Sequence, residues 1–127
     1  MLQISFQKYD QAIEIDGRKV TLPCEIIFAL PLDDRVIVMI DGYELPPGHP
    51  YKACNVFALD RNGKELWKIE ETRHLYKAKD GKHYSLPWSE IVKKPDGSGY
   101  WIYSHSGYRF DFDPLTGKVA ERGKYVH

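Results

Sequence analysis

The sequence predicts an all-β fold of about ten short antiparallel strands. Short segments rich in β-branched and aromatic residues alternate between apolar and polar positions, and Gly, Pro, Asp or Asn residues separate them. The chain has 127 residues, of which 43% are hydrophobic, so it is large enough for one domain with its own core. We therefore expect a single β domain over residues 1–127, packed either as a two-sheet sandwich or as one coiled open sheet.

An N-terminal hairpin is predicted within residues 12–22, after a short N-terminal strand. Its turn is Asp16-Gly17, a pair that accepts the two positive φ angles of a type I′ turn. Pairing the flanking residues around this turn places Ile13 opposite Val20 on one face. The alternation of the strands and the chemistry of the turn agree.

Two continuous apolar segments, residues 25–30 and 35–40, predict the central strands. A short turn at residues 31–34 separates them, and the second segment is rich in β-branched side chains. Strands that are apolar at every position are typical of burial on both faces, so we expect this pair to form the centre of the core. Residues 41–53 then break all periodicity with three prolines and two glycines, which predicts a loop.

The rest of the chain predicts further strands and their turns. Residues 71–79 leave open a helical turn or two, whereas residues 95–99 supply the Pro, Asp and Gly of a hairpin loop. Aromatic and polar residues alternate along the strand that follows the next turn, so one of its faces is expected to be core and the other solvent. The predicted strands are residues 55–60, 65–70, 89–94, 100–105, 108–113 and 118–123.

Two segments of the chain share a repeated unit, which consists of a strand ending in Asp, a short polar turn with Gly-Lys, and a second strand. This unit resembles the repeat of quinoprotein-like β-propellers, whose blades carry the pattern ALDxxTGKxxW. The first copy is one residue short before its Gly, and the second has Glu121 where the pattern has Trp. The residues that carry the resemblance are Ala58, Asp60, Asn62, Gly63, Lys64 and Trp67 in residues 55–70, and Asp113, Thr116, Gly117 and Lys118 in residues 107–123.

The resemblance covers residues 35–123 and implies two blade-like sheets. A closed propeller needs at least about four blades, so two units do not make the ring that holds a quinone, and we assign no cofactor. In style the chain is also similar to small bacterial single-domain proteins of the immunity type. The expected division is an N-terminal strand and hairpin at 1–34, a first unit at 35–70, a basic connector at 71–86 and a second unit at 87–127.

The charge of the chain is balanced overall but unevenly distributed. Lys+Arg and Asp+Glu number 18 each, so the composition gives no strong indication of a nucleic-acid-binding protein. Residues 1–60 hold 5 basic and 9 acidic residues, a charge of −4, and residues 61–127 hold 13 and 9, a charge of +4. This leaves open either neutralisation across the sheet or an acidic surface for a basic partner.

Hydropathy and the N-terminal residues predict a cytoplasmic protein without a membrane span. There is no apolar run of roughly 18 residues, and residues 1–10 lack the pattern of a secretory signal. Cys24 and Cys54 are expected to be free buried thiols, although a bridge between neighbouring strands stays open.

No group of residues has the spacing of a catalytic or metal site. The five histidines lie in separate segments without an HxH or HxxxH pair, so we assign no catalytic residue and no metal ligand. A nuclease or other hydrolase that uses His74, His83 or His105 as acid and base, with Lys77 on the phosphate, stays an alternative.

The sequence favours a non-catalytic domain that binds another protein. The loop at residues 42–51 is stiffened by three prolines and displays tyrosines, which are frequent at interfaces. The most concrete version is an immunity-type protein that occludes the active site of a basic bacterial toxin domain. The predicted partner-binding residues are Asp33, Asp34, Asp41, Tyr43, Glu44, His49 and Tyr51.

A second hypothesis is a small-molecule or carbohydrate-binding domain. In that case Trp88, Trp101 and Tyr103 would serve as stacking platforms for a ring. For either function we expect a monomer, or a homodimer formed by pairing of exposed edge strands.

Overall fold

The computed structural model describes residues 2–70, 87–105, 107–120 and 123–125, and it arranges them in three antiparallel sheets. The prediction of an all-β fold is confirmed, with twelve strands and one short 3-10 turn, Gly42–Glu44, in these residues. The N-terminal sheet contains β1 (Ile4–Ser5), β2 (Ala12–Ile15) and β3 (Arg18–Thr21). The central sheet contains β4 (Ile26–Pro31), β5 (Arg35–Ile40), β6 (Val56–Asp60) and β7 (Glu65–Lys68). The C-terminal sheet contains β8 (Trp88–Lys93), β9 (Tyr100–Ser104), β10 (Tyr108–Asp113), β11 (Lys118–Val119) and β12 (Lys124–Tyr125).

The N-terminal hairpin forms as predicted and belongs to a sheet of its own. Asp16 and Gly17 have φ angles of 49° and 83°, as a type I′ turn requires, and Ile13 pairs with Val20. Because β1 pairs with β2, the hairpin is the middle and edge of a three-stranded layer. The sandwich therefore has a third layer, whereas the sequence predicted two sheets with an N-terminal strand and hairpin attached to them.

The central sheet packs against a core on each of its faces. This confirms the predicted double burial for β5, whereas β4 is wrong as a central strand, because it is the half-buried edge strand of the sheet. Val36, Val38 and Ile40 of β5 pack into the core shared with the N-terminal sheet. Ile37 and Met39 of the same strand pack into the core shared with the C-terminal sheet. The two-residue period of the strand divides its side chains between the two cores. Strand β4 pairs with β5, so the central sheet begins at residue 26. Residues 26–31 therefore belong to the central sheet, although the expected division placed them with the N-terminal strand and hairpin.

The repeated Asp-turn-Gly-Lys units join the layers. The Asp60 carboxylate accepts hydrogen bonds from two amides of its own turn, and the following Gly63 lies against Val20 of the N-terminal sheet. In the second unit Gly117 lies flat against the indole of Trp67, whose Nε1 donates to the carbonyl of Pro114 at 3.1 Å. Each turn thus packs on the sheet that precedes its own in the chain.

A buried asparagine joins the central and C-terminal sheets. Asn55 is 1% exposed, and its amide nitrogen donates to the carbonyls of Ile40 and Trp88, both at 2.9 Å. Its Oδ1 accepts from the backbone N–H of Trp88 at 2.8 Å. The side chain therefore pairs with both backbone groups of the first residue of β8.

Cys24 and Cys54 are buried, and each lies in a different core. No disulfide joins them. Within the described ranges, no helix is long and apolar enough to cross a membrane. The predicted basic connector at 71–86, its helical turn at 71–79, and His74, Lys77 and His83 lie outside the described residues.

Candidate functional site

One groove of about 400 Å³ is lined by segments from all three layers. It lies beside the end of the central sheet, between the β1–β2 connection, β4, the loop after β5, strand β8 and the turn that follows β9. We call it the aromatic groove and define it by Tyr9, Phe28, Asp41, Tyr43, Glu90 and His105.

Tyr9 reaches the groove from a left-handed backbone conformation. Its φ is 76°, a region that costs an L-residue about 1 kcal/mol or more and that usually holds Gly or Asn. Hydrogen bonds fix this geometry, because the N–H of Tyr9 donates to the carbonyl of Ile26 at 2.7 Å and that of Ile26 to Asp10 at 2.7 Å. The side chain is nevertheless 57% exposed. Backbone strain that presents an exposed aromatic side chain is typical of functional positions.

Two β-bulges open onto the same groove. The register of β4 with β5 shifts between Ile26 and Phe28, and that of β8 with β9 shifts between Trp88 and Glu90. Each shift leaves one residue outside the ladder, Ile27 in one strand and Ser89 in the other, and both line the groove. Bulges redirect side chains and are frequent beside binding sites.

Tyr43 forms one wall of the groove. It belongs to the loop at residues 42–51, which we call the proline loop. The Asp41 carboxylate accepts a hydrogen bond from the backbone N–H of Tyr43 at 3.1 Å and caps the 3-10 turn. The phenol ring meets His105 edge to face, with 4.7 Å between ring centroids, and stays 50% exposed. Burial of the ring and the charge of Asp41 raise the pKa of Tyr43, so its hydroxyl is a neutral donor at physiological pH.

The proline loop is held rigid by a lysine. The ammonium group of Lys52 donates to the carbonyl of Leu45 at 2.6 Å and reaches those of Gly42 and Tyr43 at 3.4 Å. A side chain at Gly42 would overlap the backbone carbonyl of Lys52, so the loop is closely packed at this point. The predicted loop is therefore present, and its position is fixed before any partner binds.

His49 and Tyr51 support the loop from its other side and do not line the groove. The Nδ1 of His49 accepts from the N–H of Tyr51 at 3.2 Å. The Tyr51 ring packs on Phe57 and its hydroxyl donates to Glu65 of β7. Burial, followed by the hydrogen bond to Glu65, raises the pKa of Tyr51 to about 12.

The structure divides the predicted acidic surface into two parts. Asp33 and Asp34 lie in the turn before β5, and Asp41 lies after it, roughly 20 Å away at the usual rise per residue of a strand. Asp34 binds Arg35 through two hydrogen bonds of 2.9 Å, which lower the pKa of its carboxyl group. Only Asp41, Tyr43 and the exposed Glu44 of the predicted set lie in or next to the groove.

Negative charge accumulates around the groove from residues that are distant in sequence. The Cys24 Sγ donates to the carbonyl of Asp41 at 3.3 Å; burial raises the pKa of this thiol, and the nearby charges of Asp41, Glu25 and Glu44 raise it further. Glu90 adds a fourth on the opposite wall. Sequence reasoning missed Tyr9, Phe28 and Glu90, because neither the left-handed turn nor the bulges have a local sequence signal.

The predicted stacking platforms do not form one surface. Trp88 is 0% exposed, with its ring edge on Phe110, so no ligand can stack on it. Trp101 and Tyr103 do share the outer face of β9, but the guanidinium of Arg109 already covers the Trp101 ring at 3.9 Å. The prediction that Trp88 is a stacking platform for a ligand is therefore wrong.

Hydrolytic and metal chemistry receive no geometric support from the part of the chain that is described. His105 is the one predicted acid-base histidine in that part, and it packs against Tyr43. In the described ranges no group of three or more His, Cys, Asp or Glu side chains could hold a metal ion. Asp111 pairs with Lys94 at 2.7 Å and Asp113 accepts from its own turn, so these two carboxylates have structural partners.

Comparison with known proteins gives a family match along almost the whole chain. A family model described as "Domain of unknown function (DUF7957)" matches residues 1–124, which include strands from all three sheets. No curated protein and no solved structure matches the chain. The match indicates that the three layers occur together as one unit.

Proposed function

The chain belongs to the DUF7957 family, and we propose that it is a non-catalytic domain that binds another protein at the aromatic groove. The observation that carries the proposal is the convergence of three backbone irregularities on one surface. The left-handed turn at Tyr9 and the bulges at Ile27 and Ser89 come from three different strands or connections, yet all of them line this groove.

The side chains of the groove have the composition of a protein interface. Tyr9 and Tyr43 are half exposed and are held in place by the backbone hydrogen bonds around them. Tyrosine offers a large apolar area and a polar tip with few rotatable bonds, and it is frequent among the residues that dominate binding energy. Because Lys52 fixes the loop in advance, little conformational entropy is lost when a partner binds.

The charge of the groove favours a basic partner. Among the described residues, Asp41, Glu90 and the adjacent Glu44 outnumber Lys8, the one lysine that lines the groove. Complementary charge accelerates association and selects against acidic competitors.

The most concrete form of the proposal is an immunity-type protein that neutralises a toxin. A basic substrate groove of a bacterial nuclease toxin would accept the acidic and aromatic surface in place of nucleic acid. Asp33 and Asp34 would not take part in the same contact, because they lie at the other end of β5. We place this function in the cytoplasm, where the free thiols of Cys24 and Cys54 stay reduced.

The test is affinity capture with a tagged wild-type chain and with variants of the groove. We expect a basic protein in stoichiometric amount, and we expect Tyr43→Ala to weaken its binding about 30-fold, the effect of losing a dominant interface tyrosine. Tyr9→Asn should weaken binding while the thermal midpoint stays the same or rises, because Asn tolerates the left-handed conformation better. Leu115→Ala is the matched control, since Leu115 is 60% exposed in a turn away from the groove.

Two results would contradict the proposal. One is the absence of any stoichiometric protein partner. The other is a captured partner that the Tyr9 and Tyr43 variants retain as tightly as the Leu115 control does. Glu90→Lys adds a check on charge, because it should slow association most at low ionic strength.

A further inference from the structure

The outer face of the C-terminal sheet carries an arginine that has no ionic partner among the described residues. The guanidinium of Arg109 lies over the indole of Trp101, 3.9 Å from the ring centroid. The ion pairs of the described residues join Asp34 to Arg35, Asp16 to Arg61 and Asp111 to Lys94. None of them includes Arg109, so in this part of the molecule its N–H donors have no carboxylate.

A second cation stands beside it. Lys124 of β12 pairs in register with Arg109 of β10, and both line a small pocket of about 240 Å³ together with Trp101, Asp111 and Gly123. Asp111 is the one carboxylate among the described lining residues, and Lys94 pairs with it at 2.7 Å and offsets its charge. As far as the described residues define it, the pocket thus presents two positive charges without a paired carboxylate, above an aromatic surface.

This combination matches the chemistry of a phosphate group. The planar guanidinium binds two oxygens of a phosphate at once, and stacking on an aromatic ring holds it in the required orientation. Two adjacent cations fit the double negative charge of a phosphate monoester better than the single charge of a carboxylate. An aromatic or sugar ring attached to the phosphate would lie along Tyr103, which is the cross-strand neighbour of Arg109.

We propose that the Arg109–Lys124 pocket binds the phosphate monoester group of a small ligand. The site shares no lining residue with the aromatic groove, so it does not depend on the proposed protein-binding function. A nucleic-acid backbone fits less well, because Glu90 lies on the same sheet and would repel successive phosphates.

The test uses the three tryptophan indole N–H resonances of the full chain in a ¹H–¹⁵N correlation spectrum. The indoles of Trp67 and Trp88 donate to the carbonyls of Pro114 and Glu70, so they report on the fold and should not move. On titration with phenyl phosphate, we expect the Trp101 resonance to shift and to saturate in the low millimolar range. A Trp101→Phe variant assigns the resonance.

Two variants of Arg109 and one control variant test whether its guanidinium binds the phosphate. Arg109→Gln should weaken phenyl phosphate binding at least about tenfold, and Arg109→Lys should weaken it less, because the charge remains but the two-oxygen contact is lost. The matched control is Arg61→Gln, an exposed arginine paired with Asp16 on another sheet, which should leave binding unchanged.

Three results would overturn the proposal. The first is no saturable shift of Trp101 up to about 20 mM phenyl phosphate. The second is equal binding of acetate, which would show a site for any anion. The third is tighter binding of a single-stranded oligonucleotide that lacks a terminal phosphate, which would assign the pocket to nucleic acid.

Discussion

Replacement of Asn55 by alanine would remove all three hydrogen bonds that its side chain makes between the central and C-terminal sheets. The carbonyls of Ile40 and Trp88 would each lose an amide donor, and the N–H of Trp88 would lose its acceptor. Asn55 is 1% exposed, so water does not reach these groups without a local opening of the structure. The variant therefore tests whether one polar side chain holds two sheets together.

The expected destabilisation follows from the number of bonds. A buried hydrogen bond contributes about 1 kcal/mol net, and a buried group left unpaired costs about 1 to 3 kcal/mol, so the three bonds amount to at least about 3 kcal/mol. For 127 residues the entropy of unfolding is about 270 cal/mol/K, and the thermal midpoint should fall by about 11 °C. This is a large fraction of the stability of an ordinary domain.

The assay is thermal and urea unfolding followed by circular dichroism, with tryptophan fluorescence as a second probe. Asn62→Ala is the matched control, because Asn62 is exposed and should change the free energy of unfolding by about 0.5 kcal/mol or less. Equal midpoints for the two variants would refute the reasoning. So would a loss of less than about 1 kcal/mol in Asn55→Ala, since water would then be replacing the side chain.

Two other predictions concern packing and pH. Gly117→Ala should destabilise the chain by about 2 kcal/mol, because the φ of Gly117 is 77° and a new methyl group would overlap the indole of Trp67. The fluorescence of Trp67 should shift as well. An unchanged urea midpoint would contradict this prediction. The folded-state pKa of Tyr51 is raised to about 12, so the folded state holds this proton more tightly than the unfolded state. The free energy of unfolding should therefore fall as the pH rises from about 10 toward 12. Tyr51→Phe should show a smaller fall, and urea midpoints measured over that pH range compare the two proteins.

The parts of the fold that the sequence predicted are those encoded by neighbouring residues. The Asp16-Gly17 turn fixes its hairpin because few residue pairs accept two positive φ angles. The uninterrupted apolar run of β5 predicts burial on both faces, since any solvent-facing side would show polar residues at every second position. A short N-terminal strand was expected, but its pairing with β2 in a separate layer was not, because the two residues of β1 are too few to indicate a partner.

The candidate groove was only partly predictable. Asp41 and Tyr43 were found because the proline loop has a visible composition, whereas Tyr9 depends on hydrogen bonds to Ile26 that appear only after folding. The separation of Asp34 from Asp41 was available from the sequence, because a predicted six-residue strand stands between them. Trp88 was misread as a platform because its partner Phe110 is distant in the chain.

The double burial of the central sheet has a consequence for how the chain can be made and divided. Until β8–β12 have been synthesised and have folded, Ile37, Met39, Val56 and Ala58 form an uncovered apolar face on an otherwise complete sheet. A fragment that stops before β8 should therefore self-associate instead of behaving as a smaller monomer. The layers are consequently not exchangeable modules, and tolerance for insertions should be confined to the turns that connect them.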